Sequence, residues 1–549
     1  MLPQCTFNEL ELFDPHGRHQ SLAQQWGCSP LTAAVTLAAG LDAPAVCSDS
    51  LGRLVTMTSL GSGEKRMTEL FARFVPGAKV LVYGDYDVDG VSSTAMAMTL
   101  ARAMGARSVN FYIPHRCEEG YGFHADAVER AQAAGVQVVI VTDCGTKDDL
   151  ATRRAQELGM KVLTFDHHLV EGQLAAPDAL LNPQTDGSPG AKTLCATAVL
   201  WVWALRSGLF NLDVLDRLSQ LAALATVSDC MPLEALNKAI LRRGLAVTKN
   251  TPLPGLARLY EAFELDLKTL TEEDWAMRVI PCLNAPGRLA LADLSVQVLT
   301  GSGDLGRAVA SLVDLNKRRR DLATSISLSL SRSFKPGSQQ VFYDSDWPVG
   351  LLSAIASRLC SQNNSAVALA SRSGEMIRGS LRVPEGANAV TLLKDLEGHL
   401  EEWGGHPFAA GFSVTPQKWP LVSSLLNEAL SNLDVEPPKE KVIIYDAGAV
   451  TKGDLEDLAQ LGPFGKGNPQ PLFFMPCQGD VVLPLGKTGR HSKIVTGSAQ
   501  LIAFDGARQL EDLSKVGGWI YRPRVDTWGG KSRAQFIVEK IVMREEVGQ

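Results

Sequence analysis

Asp85, Asp87 and Asp89 alternate along GDYDVDG, directly after the apolar run KVLVY. Asp143 closes VVIVT, Asp166, His167 and His168 follow VLTF, and Asp229 closes LAALATVS. Four apolar runs, far apart in the chain, thus end in carboxylates, and these are read as converging strand ends. Carboxylates joined by imidazole, without thiolate, suit Mn2+ or Mg2+ rather than structural zinc. Two such ions sharing a carboxylate lower the pKa of water and stabilise the attacking and leaving oxygens at phosphorus. One aspartate after a strand is most often a helix cap or turn residue. One histidine is more often a satisfied polar residue than a ligand. The joint placement of all four segments is what points to a metal cluster. No side chain in it suggests a covalent nucleophile, so the expected attacking species is water.

The elements that must position these residues alternate regularly. KVLVY, VNFYIPHR, VQVVIVT and KVLTF read as strands. SSTAMAMTLARAMG, HADAVERAQAAG and KDDLATRRAQELG read as helices, the last two stopped by glycine. Alternation at this spacing predicts an α/β fold with a parallel, doubly wound sheet. In such sheets, polar residues past the strand C-termini line the ligand crevice. Residues 213–248 read as helical, and the two prolines in 251–255 mark a break. A long polar helix is expected from an N-cap at Asp304 to about Phe334. A second, smaller α/β unit runs from QQVFYDSDWPVG to about Leu430, EPPKEK reads as a linker, and the tail fits a small β-barrel. The expected divisions are an N-terminal extension (1–75), a catalytic domain (76–240), a helical connector (241–335), a substrate-binding domain (336–432) and the barrel (442–549).

The bulk properties exclude several classes. At 549 residues, with 45% hydrophobic and 21% charged, the chain is an ordinary globular protein too long for one core. Ten cysteines without CxxC spacing argue against structural zinc and against a disulfide framework, and suit reduced thiols in a cytoplasm. No run approaches the roughly 18–20 apolar residues of a membrane helix, and the first residues lack the features of a secretory signal. A net charge of −7 excludes a uniformly basic nucleic-acid coat but not a local basic patch.

GDYDVDG, VTDCG, FDHH and ATVSDCMPL resemble the four motifs of the DHH phosphoesterase superfamily. PHRCEEGYG, PCLNAPGRL, WPVGLLSAIASRL, GGHPFAAGF and GPFGKGNPQP narrow the resemblance to the RecJ family of single-strand-specific exonucleases, over about Val82 to Phe504. The resemblance implies Asp87, Asp89, Asp143, His167 and Asp229 as ligands of two divalent cations, with Asp143 bridging. Asp85 is added, because Tyr83 stands where the family has a histidine. His168 would face the scissile phosphate, and Asp166 would orient an imidazole.

The resemblance also implies a phosphate pocket from Arg116, Arg288, Ser380, Arg382 and His406, where Val383 replaces the family's final serine. For each arginine alone, a surface ion pair is an equal reading, and GGH also reads as a tight turn. Tyr121 is a stacking candidate with a core role as competitor. The tail resembles an OB-fold, with Lys487, Arg490 and Lys493 on a basic hairpin and Trp519, Tyr521 and Trp528 as stacking faces or barrel core. From Asp480 onward there are eleven Lys/Arg against eight Asp/Glu. The run Lys317 to Arg320 suits either DNA phosphates or a solvated helix face. By resemblance, a monomer would remove mononucleotides from single-stranded DNA in the 5′ to 3′ direction during repair and recombination, alongside a single-strand-binding protein and a helicase. A small-substrate phosphodiesterase and an inert single-strand-binding scaffold are the rivals. The long basic tail argues against the first, and the retained carboxylates argue against the second.

Overall fold

The structure, a computed structural model, describes residues 2–42, 44, 50–116, 118–170, 172–433, 435, 438–486, 490–497, 499–510, 512–526 and 533–544. The chain forms two compact units, one of 49–436 and one that joins 1–48 to 437–549.

In the larger unit, five parallel strands lie in the order Ser108–Tyr112, Lys79–Tyr83, Val138–Thr142, Lys161–Phe165, Ala179–Leu181. Numbered along the chain this order is 2-1-3-4-5, so the connection reverses direction beside Lys79–Tyr83. A crevice opens at the strand C-termini at such a point. Val138–Thr142 is buried throughout and Lys79–Tyr83 at all but its first residue. This is why both read as unbroken apolar runs rather than alternating ones. One face packs on the helices Val88–Ala103, Ala196–Ser207 and Leu212–Ser228. Trp201 and Trp203 fill this core, and their indole N–H groups donate to the Leu215 carbonyl at 2.7 Å and the Thr68 hydroxyl at 3.0 Å.

The helical reading of 213–248 holds here, and the grouping of Asp229 with the strand ends does not. LAALATVS is the last part of the helix Leu212–Ser228, and Asp229 is its C-terminal cap. The run is apolar because that helix is buried between its neighbours, a setting in which helical periodicity disappears. Gly244, on the helix Ala235–Asn250, lets this helix lie against Ser219 and Ala223, where a Cβ would overlap both.

A helical connector follows. Pro281 cannot donate to the carbonyl four residues earlier and would crowd it. The chain makes one π-turn over Trp275–Val279, with the Ile280 N–H bonded to the Trp275 carbonyl. The helix Leu305–Ser333 then runs 29 residues, about 43 Å. Asp304 caps it by accepting from the Arg307 N–H at 3.0 Å. It leads to a second sheet in the order Glu402–His406, Ala409–Val414, Met376–Arg382, Val367–Ser373, Val341–Tyr343, antiparallel except for the last pair. The helices Val349–Asn363 and Trp419–Ser431 contribute to the cores of this lobe.

Among the described residues of the smaller unit, nine strands form one mixed sheet. Leu10–Phe13 pairs with Glu440–Ile444, and Gln4–Thr6 pairs with Arg533–Met543. Part of the segment for which the sequence offered no role is therefore built into the C-terminal unit. EPPKEK is not wholly a linker, because Glu440 and Lys441 already pair with Leu10 and Glu11.

Trp519 and Tyr521 are fully buried, which rules out base stacking for both. Trp519 donates to Asp480 at 2.6 Å and Tyr521 to the Tyr445 carbonyl at 2.9 Å. Their strand, Val516–Asp526, lies inside the sheet between two neighbours. Trp528 and Lys487 lie outside the described residues. Arg490 pairs with Asp505 at 3.0 Å, and Lys493 is half-buried on His491–Thr496.

Gly244→Ala is expected to cost about 1–3 kcal/mol by overpacking. Urea denaturation of the variant should show a lower midpoint at an unchanged slope.

Candidate metal centre and phosphate pocket

Asp87 caps the helix Val88–Ala103 by accepting from the Gly90 N–H at 3.0 Å. Asp143 follows Val138–Thr142 in left-handed backbone at φ 62°. That conformation costs a non-glycine residue roughly 1–3 kcal/mol and persists where the surroundings impose it. His167 Nε2 lies 3.3 Å from Asp143 Oδ1, 3.6 Å from Asp229 Oδ2 and 3.8 Å from Asp89 Oδ2. Three sets, Asp85/Asp87/Asp143, Asp89/His167/Asp229 and Asp143/His167/His168, each bring their donor atoms within 4.8 Å of one another. Asp143 belongs to two of them, as a shared carboxylate must.

The donor set fits hard divalent cations. Asp85 and Asp143 are buried, and the Oδ1 of each has no hydrogen-bond partner among the described residues. Such orphaned oxygens are costly and rare. Burial, then the charge of Asp87, raises the Asp85 carboxyl well above the usual range. Burial, then Asp89, Asp87, Asp85 and Asp229, does the same at Asp143. Cations held by these oxygens would relieve both penalties.

Asp89 has a second role. It accepts from the Ala196 N–H at 2.7 Å, the Thr197 N–H at 2.8 Å and the Thr197 hydroxyl, which fixes it to the N-terminus of Ala196–Ser207. A helix N-terminus favours negative charge. Asp166 accepts from the backbone N–H groups of Thr146, His167 and His168 and sits 2.8 Å from His168 Nδ1. Burial opposes protonation of His168, but the hydrogen bond and charge of Asp166, with Asp229 and Asp87, push its pKa up to about 9. With no cation bound, His168 is therefore held toward its protonated form beside the acid cluster. The Tyr121 hydroxyl donates to the Asp143 carbonyl at 3.1 Å and lies 3.0 Å from His168 Nδ1. Its ring is about half exposed and so is not core. Tyr83 is fully buried and donates to the Gly122 carbonyl at 2.9 Å. It ties down the Tyr121 loop rather than facing the cations.

The arginines come together from separate elements. Burial, then the charges of Arg116 and Arg319, lowers Arg288 to about 10, with Arg382 contributing further. Each guanidinium rests on a neutral group. Arg116 lies 4.8 Å over the Tyr86 ring, and Arg288 donates to the Gly350 carbonyl at 3.1 Å. Arg382 donates to Ser357 at 2.8 Å and Ser353 at 2.6 Å. Ser380 lies on the strand Met376–Arg382, two residues before Arg382, and is buried. His406 is exposed at the end of Glu402–His406, and no contact ties it to the metal cluster. Of the run Lys317 to Arg320, only Arg319 is half-buried, while Arg318 pairs with Asp314 at 2.8 Å on the exposed side.

Sequence reasoning passed over several supporting residues. Asn182 donates to the Thr146 hydroxyl and the His168 carbonyl, at 3.0 and 2.9 Å. Asp148 accepts from the Phe123 and Gly145 N–H groups, at 2.7 and 3.1 Å. Ser353 and Ser357 were legible, since hydroxyls four residues apart share a helix face. Thr197 carries no sequence signal, because it meets Asp89 only through the fold.

Three known domains match the chain: the DHH family N-terminal domain over 79–226, the DHHA1 domain over 337–432 and the RecJ OB domain over 444–540. The single-stranded-DNA-specific exonuclease RecJ of Thermus thermophilus is 30% identical over 461 residues, covering 83% of this chain and 67% of that protein. The chain belongs to the RecJ family. RecJ of Escherichia coli is 29% identical over 461 residues, covering 77% of this chain and 79% of its own. The crystal structure of Thermus thermophilus RecJ in complex with Mn2+ shares the fold, with TM-score 0.81 at 22% identity, over 98% of this chain and 81% of that one. A second RecJ structure, bound to manganese, matches with TM-score 0.58 at 28% identity, over 68% of this chain and 96% of that one.

Without cations, Asp85 and Asp143 bind protons more tightly folded than unfolded. Folded-state stability therefore falls as pH rises above the ordinary carboxylate pKa of about 4. Asp143→Asn is expected to raise the melting temperature of EDTA-treated protein at neutral pH. It should also abolish the Mn2+-induced gain, which for one site is about 2.7 kcal/mol at a hundredfold excess over Kd. Calorimetry with and without Mn2+ checks both.

Proposed function

We propose that this chain degrades single-stranded DNA from an end by metal-dependent hydrolysis of phosphodiester bonds, and that it does so from the 5′ end. The carrying observation is the pair of orphaned buried carboxylate oxygens, on Asp85 and Asp143, in the same unit as guanidiniums that rest on neutral groups. An acid cluster of this kind suits cations, and unneutralised arginines suit phosphate. RecJ relatives are named single-stranded-DNA-specific exonucleases.

Asp85, Asp87, Asp89, Asp143, His167 and Asp229 would hold two divalent cations, Mn2+ or Mg2+, with Asp143 shared. Bound there, the cations would make water acidic enough to attack at neutral pH and neutralise charge developing on the phosphoryl oxygens. His168, kept cationic by Asp166, donates to a phosphoryl oxygen and stabilises its growing charge. Tyr121 fixes the His168 ring and presents an exposed aromatic face to a base. Arg116, Arg288 and Arg382, with Ser380, take the terminal 5′-phosphate, which sets polarity. Arg382 keeps N–H groups in reserve, because Ser353, Ser357 and the Leu381 carbonyl engage three of its five. His406 contacts the strand from the second lobe. Lys487, Arg490 and Lys493 of the C-terminal unit contact single-stranded DNA. A monomer working in the cytoplasm beside a single-strand-binding protein and a helicase completes the reading. No helix among the described residues is long and apolar enough to cross a membrane.

Digestion of 5′-labelled and 3′-labelled strands with Mn2+ should release 5′ label first as mononucleotide. EDTA should stop the reaction, and blunt duplex should resist. Release of 3′ label first would reverse the assigned polarity. Asp143→Ala should lose nuclease activity and keep single-strand binding. Arg382→Ala should raise KM for 5′-phosphorylated strands by about tenfold, as losing a charge-assisted hydrogen bond does. The same variant should change KM little for 5′-hydroxyl strands.

A further inference from the structure

The helix Leu305–Ser333 carries four consecutive cations, Lys317 to Arg320, and the fold treats them unequally. Lys317, Arg318 and Arg320 are exposed, and Arg318 is neutralised by Asp314 one turn away. Arg319 points the other way. It is half-buried and donates through Nε and Nη2 to Asn316 Oδ1, at 3.1 and 3.0 Å. Asn316 is itself buried, so the guanidinium is held from beneath by a rigid neutral acceptor. Among the described residues no carboxylate pairs with Arg319. Two of its five N–H groups are engaged, which leaves three for a ligand. A partly desolvated cation without a counter-charge is unfavourable, and an anion relieves it.

The helix of Arg319 packs against Ala285–Leu289, which carries Arg288, and against Val349–Asn363, which carries Ser353 and Ser357. With Arg116, Arg288 and Arg382, Arg319 makes four guanidiniums supported by neutral groups. One terminal phosphate carries at most two negative charges, which leaves cationic charge for a second anion.

We propose that Arg319, positioned by Asn316, forms a second anion subsite that takes an internucleotide phosphodiester of the bound single strand. This rests on the single-strand exonuclease reading and deepens it. The subsite requires a polynucleotide, since a free mononucleotide has no second phosphate to offer. It grips the strand independently of what the 5′ end carries.

The experiment is steady-state digestion of 5′-phosphorylated and 5′-hydroxyl oligothymidylate with Mn2+ over a range of salt concentrations. Arg319→Ala should raise KM about tenfold on both strands alike, with kcat unchanged. Its dependence of log KM on log salt should be shallower by about 0.7, the loss of one single-strand phosphate contact. Arg319→Lys, which keeps the charge, should restore the salt dependence. Arg318→Ala should change none of these. A penalty confined to the 5′-phosphorylated strand would place Arg319 in the terminal-phosphate pocket and overturn the proposal. An unchanged KM, or a loss in kcat alone, would overturn it too. If the wild type digests neither strand, the exonuclease reading itself fails. If the wild type digests both and Arg319→Ala matches it, only the second subsite fails.

Discussion

Repulsion between buried carboxylates governs this protein. Asp85, Asp87, Asp89, Asp143 and Asp229 are drawn from the segments after two strands and from one helix end, and the chain must hold them together before any cation helps. Several devices share that task. Asp89 is stabilised by amides at the start of Ala196–Ser207, and Asp87 caps the helix that begins beside it. At Asp85 and Asp143 burial and the neighbouring carboxylates outweigh what compensation there is, and both tend to keep their protons. The core around Trp201 and Trp203 supplies the apolar burial that makes the arrangement affordable. A loosely packed version of this sheet would let the acids swing apart into water.

Much of this was readable beforehand, for a definite reason. Strand-end acids are written locally, because each sits a residue or two past an apolar run. The strand–helix alternation, the helix from Asp304 to Phe334 and the second α/β lobe all follow from local periodicity and caps, which the structure matches. Asp229 shows where local reading stops. A buried helix and a buried strand give the same apolar run, and only length separates them. Trp519 and Tyr521 show a second limit, since an aromatic residue in a barrel is inward or outward according to register, which pairing decides. The partnership of residues 4–13 with the C-terminal sheet was illegible, because strand pairing across more than 400 residues leaves no local trace.

The arginines obey the opposite rule from the acids. Some arginines elsewhere in the chain are neutralised by carboxylates, as at Arg206 with Glu64 or Arg243 with Asp216. Where an arginine faces the pocket, an aromatic ring, a carbonyl, an amide or a pair of hydroxyls holds it instead. Neutral supports fix direction without consuming charge. Exposure alone does not mark these residues, because Arg288 and Arg319 are both partly buried.

In the proposed reaction cations and terminal phosphate act on the same strand, which requires a fixed spacing between acids and arginines. Two glycines set that spacing. Gly287 packs against the carbonyl of Tyr86, which lies between Asp85 and Asp87, and a Cβ there would overlap it. Gly350 packs as closely against the backbone of Arg288. The metal-side turn, the Arg288 segment and the helix carrying Ser353 and Ser357 are therefore stacked backbone to backbone, with no side chains between them to yield. The spacing between the acid cluster and the arginines is built from main-chain contacts, the least compliant that a protein has. A side chain inserted at either glycine would leave every ligand and every arginine in place in the sequence and still separate the two halves of the site.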